Sequence, residues 1–138
     1  MFTVKDIMTN SLYTLPTTAS IGDAHQLMDE YNIHHVPVVD ENNHLVGLLT
    51  QRDLLRASVS SFADVTAEQR IEIEASIPLT EVMTKDVVVA EQDAPLADIA
   101  EHLLNKGHGC LPVVNSEGIQ GIVTEADFVK LAVKLLDR

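Results

Sequence analysis

The chain nearly repeats itself, and that limits its possible folds more than any other feature. The stretch "HHVPVVDENNHLVGLLTQRDLL" returns near the other end as "GCLPVVNSEGIQGIVTEADFVK". Pro37 and Pro112 stand 75 positions apart (112 − 37), as do Met8 and Met83 of "DIMT" and "EVMT". Gly47/Gly121, Thr50/Thr124 and Asp53/Asp127 stand 74 apart (121 − 47), so the turn between loses one residue. A repeat of this size in 138 residues implies two similar supersecondary units, each too small to close a core alone.

The elements of one unit follow from local pattern. "SLYTLP" and "DVVVAE" are short β-prone segments. A helix follows each, with Ile21, Ala24, Met28 and Tyr31 at helical spacing in the first copy and Leu96, Ile99 and Leu103 in the second. Pro95 suits the first turn of the second of these helices, where no amide donor is missed. Asn32 and Gly107 stand where a left-handed residue would end each helix. Two β-runs joined by a polar turn come next, "VPVVD" with "LVGLLT" and "LPVVN" with "GIQGIVT". Their uninterrupted Val, Leu and Ile predict burial on both faces. "QRDLLRA" and "EADFVKLAVKLL" close the units as helices, so the order is strand, helix, strand, strand, helix. The repeats cover 1–57 and 79–138. Segment 58–78 has no counterpart, and Thr66 with Gln69 predicts a capped connecting helix within it.

Composition excludes several function classes. Nine basic residues against 21 acidic ones, a net charge of −12, argue against nucleic acid as a partner. An anionic ligand would need local cations to overcome that field. No run approaches the ~20 apolar residues of a membrane span, and the lone Cys110 suits a reducing compartment, so the expected location is cytoplasmic. There is no P-loop, nucleophile elbow, zinc-protease or dinucleotide signature, and Cys110 reads as a small apolar residue. No catalytic residue and no metal site is expected. His34 and His35 are adjacent in a strand, point to opposite faces and make a poor chelating pair.

A Thr followed three residues later by Asp has two readings. It is a helix N-cap signal. Capping boxes favour Glu or Gln there, however, and the strand glycines Gly47 and Gly121 often mark close approach of a ligand or of another backbone. On the residues alone, cap and ligand site are evenly matched.

The Met-Thr start, the "PVVD" run ("PVVN" in the second copy) and the Gly, Thr and Asp before a helix, in duplicate, resemble a pair of CBS domains, the module first described in cystathionine β-synthase. The resemblance spans the chain apart from residues around 58–78. It implies an α+β (α/β) fold of two β-α-β-β-α repeats packed through their sheets with pseudo-two-fold symmetry. It also implies a stand-alone regulatory protein, not an enzyme, that needs no cofactor, takes AMP, ADP, ATP or S-adenosylmethionine between the repeats, and acts on an unknown protein target. Carried over by residue, Asp53 and Asp127 would bind ribose hydroxyls, while Thr50 and Thr124 would sit beside ribose and phosphate. Val36, Pro37, Leu111 and Pro112 would wall the adenine. Basic residues before the "xP" of one repeat would meet the phosphate of a nucleotide held by the other. Those are His34 and His35 in the first copy but Gly109 and Cys110 in the second. The cleft of Asp127 is therefore expected to bind better than that of Asp53, which has His108 nearby and Arg52 and Arg56 on its own helix. The resemblance further implies a homodimer through helical faces, with "LLRASVSSF" and "FVKLAVKLL" as candidate surfaces. The competing reading is a structural dimerisation module with no ligand.

Overall fold

The computed structural model describes residues 2–61, 64–106 and 109–137, and of 58–61 it describes only the backbone. Gly107, His108 and Phe62 therefore lie outside the described residues. In chain order the elements are α1 (Val4–Ile7), β1 (Leu15–Pro16), α2 (Ile21–Tyr31), β2 (His35–Val39), β3 (Leu45–Thr50), α3 (Gln51–Ser61), α4 (Ala67–Ser76), a 3-10 turn (Leu79–Glu81), α5 (Leu96–Lys106), β4 (Cys110–Asn115), β5 (Gly118–Thr124) and α6 (Glu125–Leu136). They form two compact units, and neither is one uninterrupted copy of the repeat. One is Tyr13–Val87; the other joins Met1–Leu12 to Val88–Arg138.

Within Tyr13–Val87, β1 runs parallel to β2, and β2 runs antiparallel to β3 from His35↔Thr50 to Val39↔Leu45. The other unit repeats the hairpin, with β4 against β5 from Cys110↔Thr124 to Asn115↔Gly118. A register shift falls at Val38/Val39 and again at Val113/Val114. The predicted "DVVVAE" strand is reduced to one parallel bridge, Ala90↔Val113. The hairpin strands are buried along most of their length, as their unbroken aliphatic runs require.

Helix α2 starts on Ser20, whose side chain accepts from the Asp23 amide at 3.1 Å, and ends on Asn32 in the left-handed conformation (φ 52°). Ile21, Ala24 and Met28 are buried on its inner face. Tyr31 lies outside that set and stacks on Tyr13, with ring centroids 4.1 Å apart. In α5 the predicted Leu96, Ile99 and Leu103 are all buried. Pro95 stands one residue before the first turn, where its carbonyl accepts from the Asp98 amide at 3.2 Å.

Each hairpin packs against a leading segment that belongs, by sequence, to the other copy. Thr9 exchanges two backbone hydrogen bonds with Ile122 (2.8 and 3.0 Å), and Thr84 does the same with Leu48 (both 2.9 Å). Val4 and Leu79, at matching positions, are fully buried in the two separate cores. This explains the strand glycines. A Cβ on Gly121 would lie 2.8 Å from the Thr9 carbonyl oxygen and 2.9 Å from the Met8 sulfur, and one on Gly47 would collide with the side chain of Met83. The close neighbour is another backbone with its methionine at Gly121 and a methionine side chain at Gly47.

The connecting helix forms as its cap predicts, with Gln69 donating its amide to the Thr66 hydroxyl (3.1 Å) and accepting from the Thr66 amide (3.0 Å). It lies close on α2, since a Cβ on Gly22 would come within 3.2 Å of the Ala75 backbone nitrogen. At that crossing Glu74 is buried at 6% exposure. Its carboxylate accepts from Arg70 Nε (3.3 Å) and faces His25 Nδ1 (3.0 Å), while His25 Nε2 lies 3.3 Å from Asp29. A buried carboxylate without such partners would be strongly unfavourable.

Candidate functional site

Thr50 and Thr124 end β3 and β5, and Asp53 and Asp127 fall in the first turns of α3 and α6. Both acids act as caps. Asp53 accepts from the Thr50 amide at 3.0 Å and returns its own amide to the Thr50 hydroxyl at 3.1 Å. Asp127 accepts from the Thr124 amide at 2.9 Å. The shorter side chain of Asp therefore closes the box here, as it does at Ser20/Asp23 (2.9 Å) and Thr3/Asp6 (2.8 Å). The preference for Glu or Gln at that position does not count against capping in this chain.

The two acids differ in what else they meet. Asp127 is 5% exposed, and its second oxygen accepts from the Thr9 hydroxyl at 3.1 Å. Asp53 is half-buried, and its second oxygen takes no hydrogen bond among the described residues. Thr9 was visible in the sequence only as part of the Met-Thr motif, and nothing in its spacing points to an acid 118 residues away.

His35 pairs with Thr50 across β2 and β3, and the Gln51 amide donates to the His34 carbonyl at 2.9 Å. Both histidines thus lie at the start of α3, His34 exposed and His35 half-buried, with Arg52 exposed one residue before Asp53. Val36, Pro37, Leu111 and Pro112 are fully buried, Val36 in one core and Leu111 in the other.

Cys110 lies opposite Thr124 in the second hairpin and is buried. Burial disfavours the thiolate and pushes the thiol up to about 12. The native protein is accordingly expected to react with a thiol-specific disulfide reagent at pH 8 at least ~100-fold more slowly than the urea-unfolded chain. Comparable rates in the two states would contradict this burial.

No group of three or more His, Cys, Asp or Glu among the described residues is placed to hold a metal ion. No described helix is long and apolar enough to cross a membrane.

Comparison with known proteins gives a consistent result. The family model for the CBS domain matches residues 4–60 and 79–134. A crystal structure of a Vibrio cholerae protein named for acetoin utilization (AcuB) is 39% identical, with a TM-score of 0.84 over 99% of this chain and 94% of that one. CBSX2 in complex with AMP is 29% identical with a TM-score of 0.83, and each chain is covered in full. The CBS domain pair of MJ0100, solved with 5′-methylthioadenosine and S-adenosyl-L-methionine, is 27% identical with a TM-score of 0.80 over 98% of both. The chain spans 42% of an uncharacterized Methanocaldococcus jannaschii protein to which it is 31% identical.

Proposed function

Because the chain belongs to the CBS-domain family, we propose that it is a regulatory module that binds an adenosine-containing ligand and passes the bound state on to a partner protein. The observation that carries this reading is the full-length match to CBSX2, whose structure holds AMP. The methylthioadenosine and S-adenosyl-L-methionine of MJ0100 point to the same chemical class. Chemistry at the helix starts agrees with it. A carboxylate accepts from both hydroxyls of a ribose diol, and charge-assisted hydrogen bonds are the stronger class. The first amides of α3 and α6 and their dipoles favour a phosphate. The ligand-binding set we propose is Thr50, Asp53, Thr124 and Asp127, with Arg52 as a cation and His34 and His35 as further hydrogen-bond donors for a phosphate on a chain of net charge −12. The buried Val36, Pro37, Leu111 and Pro112 are the residues we propose as apolar walls for the adenine.

Regulation further requires that the ligand prefer one of two conformations of the protein or its complex. We place this activity in the cytoplasm and in a homodimer. The exposed Leu55 of α3 and the exposed Val129, Val133 and Leu136 along one side of α6 are the candidate contact residues. The capping bonds of both acids favour one competing reading, a structural dimerisation module without ligand.

Thermal denaturation with AMP, ATP and S-adenosylmethionine decides between them. A ligand at 100 times its Kd adds about 2.7 kcal/mol, which raises Tm by roughly 8 °C for a chain of this size. No rise with any of the three at millimolar concentration would leave the structural reading standing.

A further inference from the structure

Resting on the adenosine reading above, we infer that the two Thr–Asp pairs are unequal receptors: Asp53 takes the ribose diol first, and the Thr9 hydroxyl is a built-in competitor for Asp127. Three independent observations carry this. The first is the hydrogen-bond inventory. One oxygen of Asp53 serves the cap and the other takes no bond among the described residues, whereas both oxygens of Asp127 are engaged, by the Thr124 amide and by Thr9. A diol at Asp127 must exchange one hydrogen bond for another, which gains little net free energy. A diol at Asp53 displaces water from an oxygen that holds no protein bond among the described residues, so no bond within the protein is broken there.

The second is access. Asp127 is 5% exposed and Asp53 half-buried, so the lone pairs that Asp127 retains face protein instead of solvent. The third is charge. The first six residues of α3 carry Arg52 and Arg56 against Asp53 alone, while the matching six of α6 carry Glu125 and Asp127 against Lys130. The helix dipole attracts a phosphate at both starts, and the side-chain charges add to that attraction at α3 and oppose it at α6. His35, paired to Thr50, places an imidazole beside the start of α3, where the second hairpin has Cys110 paired to Thr124. This ordering is the opposite of the one expected from the histidine supply in the sequence.

Thr9 has a counterpart in Thr84, which keeps the backbone pairing, with Leu48, yet makes no hydrogen bond to Asp53 among the described residues. The lock is thus a property of one hydroxyl and is removable by an isosteric change. Calorimetric titration of AMP into the full chain tests it. Wild type should show a tighter and a weaker phase. Asp53→Asn, which keeps an oxygen to accept the cap bond, should weaken the tighter phase about tenfold, and Asp127→Asn should remove only the weaker one. Thr9→Val should strengthen the weaker phase about threefold or more, and Thr9→Ser, which retains the hydroxyl, should match wild type. Circular dichroism melts of each variant separate misfolding from lost binding. Loss of the tighter phase in Asp127→Asn but not in Asp53→Asn would overturn the inference, as would weaker binding in Thr9→Val. AMP binding that is unchanged in both Asp variants would overturn the inference while leaving the adenosine reading intact. No binding by wild type to AMP, ATP or S-adenosylmethionine would remove the reading itself.

Discussion

Replacing Gly121 by Ala lowers stability by about 1–3 kcal/mol, the usual cost of overpacking, and Gly47→Ala costs at least ~1 kcal/mol less. Neither glycine has the positive φ that only glycine tolerates well, so in open space an Ala would stabilise each strand slightly through the unfolded state. The difference lies in what the new methyl meets. At Gly121 it meets the carbonyl oxygen of Thr9 at 2.8 Å. That oxygen is fixed by the paired Thr9–Ile122 hydrogen bonds, so it retreats only by breaking them. At Gly47 the obstacle is the side chain of Met83, unbranched and adaptable, which swings aside at smaller cost. Thermal unfolding of the two variants against wild type measures the gap, expected at roughly 3 °C or more in Tm. Equal losses would mean that the Thr9 segment is free to move.

Leu79→Ala carries a still larger expected loss, about 2–5 kcal/mol. Leu79 is fully buried against Ile21, Leu49 and their neighbours, and it anchors the segment that brings Met83 and Thr84 to the first hairpin. Its amide donates to the Ala19 carbonyl at 3.0 Å, so the truncation empties a site whose walls are held in place. Denaturant unfolding gives the magnitude, and amide exchange at Leu48 and Thr84 gives the location. Those two amides bond each other's carbonyls and should lose protection together. A loss below ~1 kcal/mol, or unchanged exchange at Leu48, would show that the anchor lies elsewhere.

Much of this arrangement was legible in the sequence because it is local. The apolar faces of α2 and α5, the left-handed Asn32, the Thr66–Gln69 cap and the hairpins all depend on residues within a few positions of one another. The Thr–Asp motif was legible only as a choice, since the same atoms that close an amide turn also suit a diol. Its asymmetry was not legible, because it hinges on a hydroxyl 118 positions from the acid it meets. The exchanged leading segments were hidden for a different reason. A repeat shows which residues are equivalent, and equivalence cannot tell which of two nearly identical hairpins a given Met-Thr segment will join. The His25–Glu74–Arg70 cluster went unread because α4 has no partner in the repeat. One signal did exist: copy one has Gly22 where copy two has Ala97, a vacancy that a crossing helix needs.

The borrowed leading segments also bear on how such a chain could have arisen. An unduplicated ancestor would have had to fold its own Met-Thr segment back onto itself or lend it to a sister molecule by domain swapping. Joining two copies head to tail turns that loan into an intramolecular event. Its effective concentration is then set by the tether and no longer by how much protein the cell makes. Gene fusion would in this way have supplied stability without a single new contact.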